Sequence, residues 1–167
     1  MPTQEVKNAR QTISAQEGKY LTFALGNEEF GLEILQVREI IGLMQITSIP
    51  NMPVFMKGVI NLRGKIIPVI DLRLKFHMKE VQYTSETCII VMNVQEELVG
   101  IIVDKVCEVV DIQMSNIEPP PHLGSSVHVD FITGIGKIGE KVKILLNIEK
   151  VLTEEMPLIE QLNKTAV

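Results

Sequence analysis

The 167 residues contain no tryptophan, and aromatic side chains make up only 4% of them. Base stacking therefore has few platforms. Basic residues are also in the minority: 16 Lys and Arg face 21 Asp and Glu, for a net charge of -5, the wrong sign for neutralising phosphates. Nucleic acid is excluded as a partner on both counts. Long apolar runs are missing too; the longest, Leu98 to Val103, is far short of the roughly 20 residues of a membrane helix. Residues 1–18 have no apolar segment between a basic start and a cleavage site, so they read as a polar, mobile tail with no signal peptide and no membrane insertion. Cysteine is scarce. Cys88 and Cys107 lie in apolar stretches without CxxC spacing, and His77, His122 and His128 are scattered; two buried free thiols and no metal site are expected. What is present is aliphatic: 46% of residues are hydrophobic and the mean hydropathy is +0.21, which excludes disorder as the general state.

The chain repeats itself. Shifting by 69 places lays Tyr20–Ile41 (YLTFALGNEEFGLEILQVREII) on Ile89–Val110 (IIVMNVQEELVGIIVDKVCEVV), with Gly31 on Gly100, Val37 on Val106 and Glu39 on Glu108. Shifting by 76 lays Gly58–Leu72 on Gly134–Ile148, with Lys65 on Lys141 and Asp71 on Asn147. Alternation puts Leu21, Phe23 and Leu25 on one strand face, and likewise Ile90, Met92 and Val94. Turns fall at Asn27-Glu28, Arg63-Gly64, Gln95-Glu96-Glu97 and Gly139-Glu140.

Each copy, about residues 20–72 and 89–148, thus holds about five short strands. The pattern predicts a mainly β fold of two five-stranded barrel subdomains sharing an apolar interface. Asn51–Met56 reads as a bridge with one helical turn, and residues 112–130 as a long loop broken by Pro119-Pro120-Pro121. Residues 147–163 read as a C-terminal helical segment, restarted at Thr153 as an N-cap, with Pro157 in the first turn.

Chemistry is hard to find. Gly134–Gly139 matches GxGxxG letter for letter, but the alternating strand Lys141–Leu146 follows it where a dinucleotide site needs a helix. Glu140 also stands where a phosphate-binding loop needs lysine. Cys107 has Glu108 beside it, which opposes thiolate formation. The pairs Glu28-Glu29, Glu96-Glu97 and Glu154-Glu155 read as solvated turn or helix-start charges. No cofactor and no catalytic group are expected. Read by themselves, Arg63 and Glu39 are surface charges, and Ile34, Val37 and Ile40, with Val103, Val106 and Val109, are core-packing residues. Alternatively, a groove between the barrels accepts a partner helix.

At GVINLRGKIIPVIDLR (Gly58–Arg73) the chain resembles the chemotaxis coupling protein family, CheW. Phe23–Ile41, Ile46–Gly58, Val99–Val109 and Ile132–Leu152 agree, so the resemblance covers about residues 19–155 in family order. It implies two SH3-like barrels and a non-catalytic, free-standing cytoplasmic adaptor, recruited to membrane-associated chemoreceptor arrays. The partners implied are the signalling tip of a methyl-accepting chemoreceptor and the regulatory domain of the histidine kinase CheA. Carried onto this sequence, the receptor groove takes Leu21, Ile34, Val37, Ile40 and Val106. Glu39, Lys57, Gly58 and Arg63 serve as polar or close-approach contacts. Kinase contacts are expected on the second barrel, including residues 112–124. The other readings are a small enzyme with a pocket between the barrels and an adaptor for a different membrane sensor.

Overall fold

Two-residue turns set the register of four antiparallel hairpins in the computed structural model, which describes residues 18–120 and 130–164. The hairpins are β1 (Lys19–Leu25) with β2 (Glu28–Glu33), β4 (Met56–Leu62) with β5 (Lys65–Asp71), β6 (Cys88–Val94) with β7 (Glu97–Val103), and β10 (Ile132–Ile138) with β11 (Lys141–Leu146). In the β4–β5 turn both Arg63 (φ 52°) and Gly64 (φ 89°) have positive φ. That conformation matches the twist of the flanking strands, and the Asn61 side chain accepts the Gly64 N–H at 2.9 Å. Three further strands complete the set: β3 (Val37–Gly42), β8 (Lys105–Asp111) and the two-residue β9 (Ile117–Glu118). Short helices follow β5 (α1, Leu72–Lys75) and β11 (α2, Ile148–Val151), and α3 (Met156–Lys164) ends the described chain.

The strands form a six-stranded sheet, β8-β1-β2-β11-β10-β9, and a five-stranded sheet, β3-β6-β7-β5-β4. Under the two sequence shifts these orders are the same. Each sheet combines the first hairpin of one copy with the remaining strands of the other. The parallel junctions correspond as well: Gly31 pairs with Leu145 and Gly100 with Val69. So do the bulges at Met56/Gly58 and Ile132/Gly134. Even β9 has a counterpart in the single bridge Thr47–Val59, which flanks β4 as β9 flanks β10. The duplication is thus real, but its copies exchange hairpins and do not each build a sheet of their own.

One core lies between the sheets. Leu21, Phe23, Leu25 and Leu32 meet Ile90, Met92, Ile101 and Val103 there, and Ile148, Leu152 and Ile159 close it from the C-terminal side. A smaller cluster with Ile60, Ile67 and Val91 fills the other face of the five-stranded sheet. The helix starts are capped equivalently: Asp71 accepts the Leu74 N–H and Asn147 accepts the Lys150 N–H. Arg73 grips Asp104 through Nε and Nη2 at 2.7–3.0 Å, and Asp104 also accepts the Gly26 N–H at 2.7 Å. That knot ties α1 and the β7–β8 turn to the β1–β2 turn.

Several expectations are corrected. Thr153 does not cap a helix; its hydroxyl donates to the Glu149 carbonyl, and residues 153–155 form a 3-10 turn before α3. Asn51–Met56 forms turns without a helix, and the expected loop after 112 carries a 3-10 turn and β9. The hairpin turns after β1 and β6 are Gly26-Asn27 and Gln95-Glu96. Glu29 and Glu155 are more than solvated charges: they pair with Lys143 and Lys75, Glu155 is buried and Glu29 is partly exposed. The expected tail lies outside the described residues apart from Gly18, as do residues 121–124 of the expected kinase-facing loop.

Candidate functional site

The outer strands β3 and β8 each carry a bulge, and the bulges decide which side chains meet the shared core. Along β3 the register slips between Val37, opposite Met92, and Glu39, opposite Val91. One residue is skipped, so Val37 and Ile40 face the same side although they are three apart. On β8 the slip lies between Val106, opposite Phe23, and Val109, opposite Leu21, so Val106 and Val109 likewise share a face. An i, i+3 apolar pattern that suits a helix is here produced by two bulged strands.

These side chains border the inter-sheet core at its rim. Ile34, Val37 and Val106 are half-buried against it, together with Cys88, whereas Ile40 and Val109 are 44% and 52% exposed. Leu21 is different: at 1% exposure it supports the rim from beneath and offers a partner no surface. Val109 is absent from the set expected to contact a partner, yet the 69-residue shift already pairs it with Ile40.

A polar group stands beside this rim. Glu39, turned to the opposite face of β3 by the bulge, forms an ion pair with Arg63 at the β4–β5 hairpin tip. Arg63 is 71% exposed and holds φ at 52°, a left-handed conformation that costs an L-residue about 1 kcal/mol. Its counterpart in the other copy is Gly139, and that of Glu39 is Glu108. The shifts therefore give the second hairpin no arginine to match Arg63.

Lys57 and Gly58 contribute differently from the expectation. Lys57 pairs with Glu80 at 3.0 Å. Gly58 is buried with φ 143°, and a Cβ there would lie 2.0 Å from the Thr47 carbonyl oxygen. Its close approach is to its own chain, where Thr47 and Val59 exchange two backbone hydrogen bonds of 2.9 Å. Lys57 and Gly58 thus hold the base of the β4–β5 hairpin, while Arg63 stands at its exposed tip, paired with Glu39 of β3.

The thiols are poor nucleophiles. Burial pushes both Cys88 and Cys107 above their ordinary values, and both are free and half-buried. Gly134–Gly139 lies in the β10–β11 hairpin, with Gly139 at φ 59° in the turn, so no helix N-terminus follows it. Among the described residues no three His, Cys, Asp or Glu side chains cluster to hold a metal, and no helix is long and apolar enough to cross a membrane.

A second concave surface lies on the outer face of the six-stranded sheet. Tyr20, Glu33, Ile112, Met114, Ile117 and Leu145 line a cavity of about 710 Å³ there. Met114 on its edge is 89% exposed.

The chain is similar to known proteins over most of its length. Residues 19–156 match the model of the CheW-like domain. The chain is 44% identical over 160 residues to the chemotaxis protein CheW of Klebsiella aerogenes, covering 95% of both chains. It is 35% identical to that of Bacillus subtilis, over 78% of this chain and 81% of the relative. Among solved structures, the scaffolding protein TtCheW from Thermoanaerobacter tengcongensis superimposes with a TM-score of 0.75 at 38% identity, over 81% of this chain and 92% of that one. The chain with the exchanged hairpins and the twin bulged edges belongs to the CheW-like domain family.

Proposed function

We propose that this chain is a cytoplasmic, non-catalytic adaptor that couples chemoreceptors to the histidine kinase CheA, and that the rim between its two sheets receives the helical signalling tip of the receptor. The observation carrying this reading is the pair of bulges that turn Val37 and Ile40, and Val106 and Val109, toward one shared core from two different sheets. Four aliphatic side chains in partial exposure suit the apolar stripe of a helix. Full burial of such a side chain is worth about 1.5–3 kcal/mol, so completing it against a helix gives a useful gain without a permanent exposed patch. Arg63 and Glu39 stand at the edge of that stripe and supply polar recognition and orientation.

The kinase's regulatory domain docks on a separate surface, at the mouth of the cavity lined by Ile112, Met114 and Ile117. Separate surfaces allow receptor and kinase to be held together, so that a receptor's state biases the kinase through contacts both make with one scaffold. Pull-downs against receptor tip and kinase regulatory domain test the division. Arg63→Glu should lose the receptor and keep the kinase, and Met114→Asp should do the reverse. Loss of both partners in either variant with an intact fold contradicts the division.

A further inference from the structure

All four hairpins turn through two residues, and in each the first of the two has a left-handed backbone: Gly26 (φ 62°), Arg63 (φ 52°), Gln95 (φ 51°) and Gly139 (φ 59°). The two sequence shifts make these positions equivalent in pairs, Gly26 with Gln95 and Gly139 with Arg63. The turns of the six-stranded sheet thus use glycine, which adopts this conformation freely. Those of the five-stranded sheet hold it with an L-residue, whose Cβ crowds the following carbonyl oxygen. Glu96 adds a third such residue at φ 66°. Glycine fits the position in one half of the chain, so in the other half a side chain is kept at a cost in stability.

The strained turns stand at one end of the five-stranded sheet. Strands β5 and β7 are parallel, with Val69 beside Gly100, so the turns that precede them lie side by side. There a cavity of about 330 Å³ has Ile67 and Leu98 in its wall and the exposed Arg38, Lys65 and Glu96 around it. None of these three charged groups is in an ion pair among the described residues. Gln95 is exposed as well. Behind the turn the chain is fixed, because Asn163 of α3 donates to the Glu97 carboxylate at 2.6 Å and to the Leu98 carbonyl at 3.2 Å. The fold therefore holds the strain in place without gaining an ion pair from the turn. Arg38 lies between Val37 of the rim and Glu39, the partner of Arg63, so this end of the sheet adjoins the receptor surface.

We propose that Gln95 and Glu96 are further recognition residues for the receptor tip, kept in a strained turn so that their side chains meet the same helix as Arg63 on the neighbouring turn. This role depends on the rim being the receptor surface proposed above. The Gln95 amide both donates and accepts, which suits polar side chains beside the apolar stripe of that helix. The Glu96 carboxylate suits a lysine or arginine there. Stability given up in the turn is recovered as affinity for the partner.

The test is the double variant Gln95→Gly/Glu96→Asn, which writes the Gly26-Asn27 sequence of the equivalent turn into this one. Urea unfolding and calorimetric titration with a receptor cytoplasmic fragment are measured for wild type, this variant and Arg63→Glu. The turn variant should unfold at a higher urea midpoint, because the left-handed penalty is relieved, and bind the receptor fragment about fivefold more weakly or worse. A loss of affinity with a gain of stability cannot come from damage to the fold. Wild-type affinity in the turn variant overturns the proposal, and so does a midpoint that fails to rise, which removes the strain. Where Arg63→Glu loses binding and the turn variant keeps it, the turn residues alone are excluded. Where both bind as wild type, the receptor reading falls with them.

Discussion

Arg63 and Glu39 are 24 residues apart in the chain, and their ion pair ties the tip of the β4–β5 hairpin to the outer strand β3. With Arg63 71% exposed, the pair does little for stability; such surface pairs contribute about 0–1 kcal/mol. Under the proposed function the pair serves receptor recognition instead. Arg63→Glu should leave the thermal midpoint within a few degrees of wild type, while weakening receptor-tip binding at least tenfold, about 1.4 kcal/mol. The check is calorimetric titration beside a melting curve. Unchanged affinity would remove Arg63 from the site.

Leu21 and Ile40 separate support from contact. Leu21 is buried and Ile40 is nearly half exposed. Leu21→Ala should cost about 2–5 kcal/mol in denaturant unfolding. Ile40→Ala should cost less than about 1 kcal/mol and still lower receptor affinity. An Ile40→Ala protein that binds normally would move the contact surface off the rim.

Gly58 and Gly64 give a ranking from geometry. A methyl group at Gly58 meets the Thr47 carbonyl oxygen at 2.0 Å, whereas nothing lies within 4 Å of one at Gly64. Both have positive φ. Gly64→Ala should cost about 1 kcal/mol, the left-handed penalty alone, and Gly58→Ala should exceed about 3 kcal/mol or prevent folding. Parallel urea titrations of the two variants decide the order.

Asp104 predicts a pH dependence. Burial acts to raise its value, but the Arg73 guanidinium and the Gly26 N–H outweigh burial and hold it below 3.8. The folded value is therefore below the unfolded one, so the contribution is present above the unfolded value and lost as pH falls through the folded value. The stability gap between wild type and Asp104→Asn should be full near about pH 6 and shrink toward about pH 2. Denaturant midpoints across that range measure it; a gap independent of pH would contradict the role given to the carboxylate.

The repeat was legible in the sequence because its aliphatic positions and glycines recur at fixed shifts, and the same shifts reproduce the parallel junctions and bulges residue by residue. Hairpin exchange was not legible by periodicity: a strand that fits beside either copy carries nearly the same alternation in both. The apolar members of the site were legible as a set, but burial was not, which is why Leu21 stood beside Ile40. The bulges account for the rest, since one skipped residue on β3 turns Glu39 away from Val37 toward Arg63. The role of Gly58 lay in a backbone approach to Thr47 that no local pattern encodes.

The central claim is coupling, and reconstitution tests it most directly. CheA autophosphorylation should be measured with a receptor cytoplasmic fragment, with and without this chain, and with Arg63→Glu. The account predicts receptor-dependent kinase activity only when the wild-type chain is present, and loss of that dependence with Arg63→Glu. Receptor control of the kinase that is equal without the chain would contradict it.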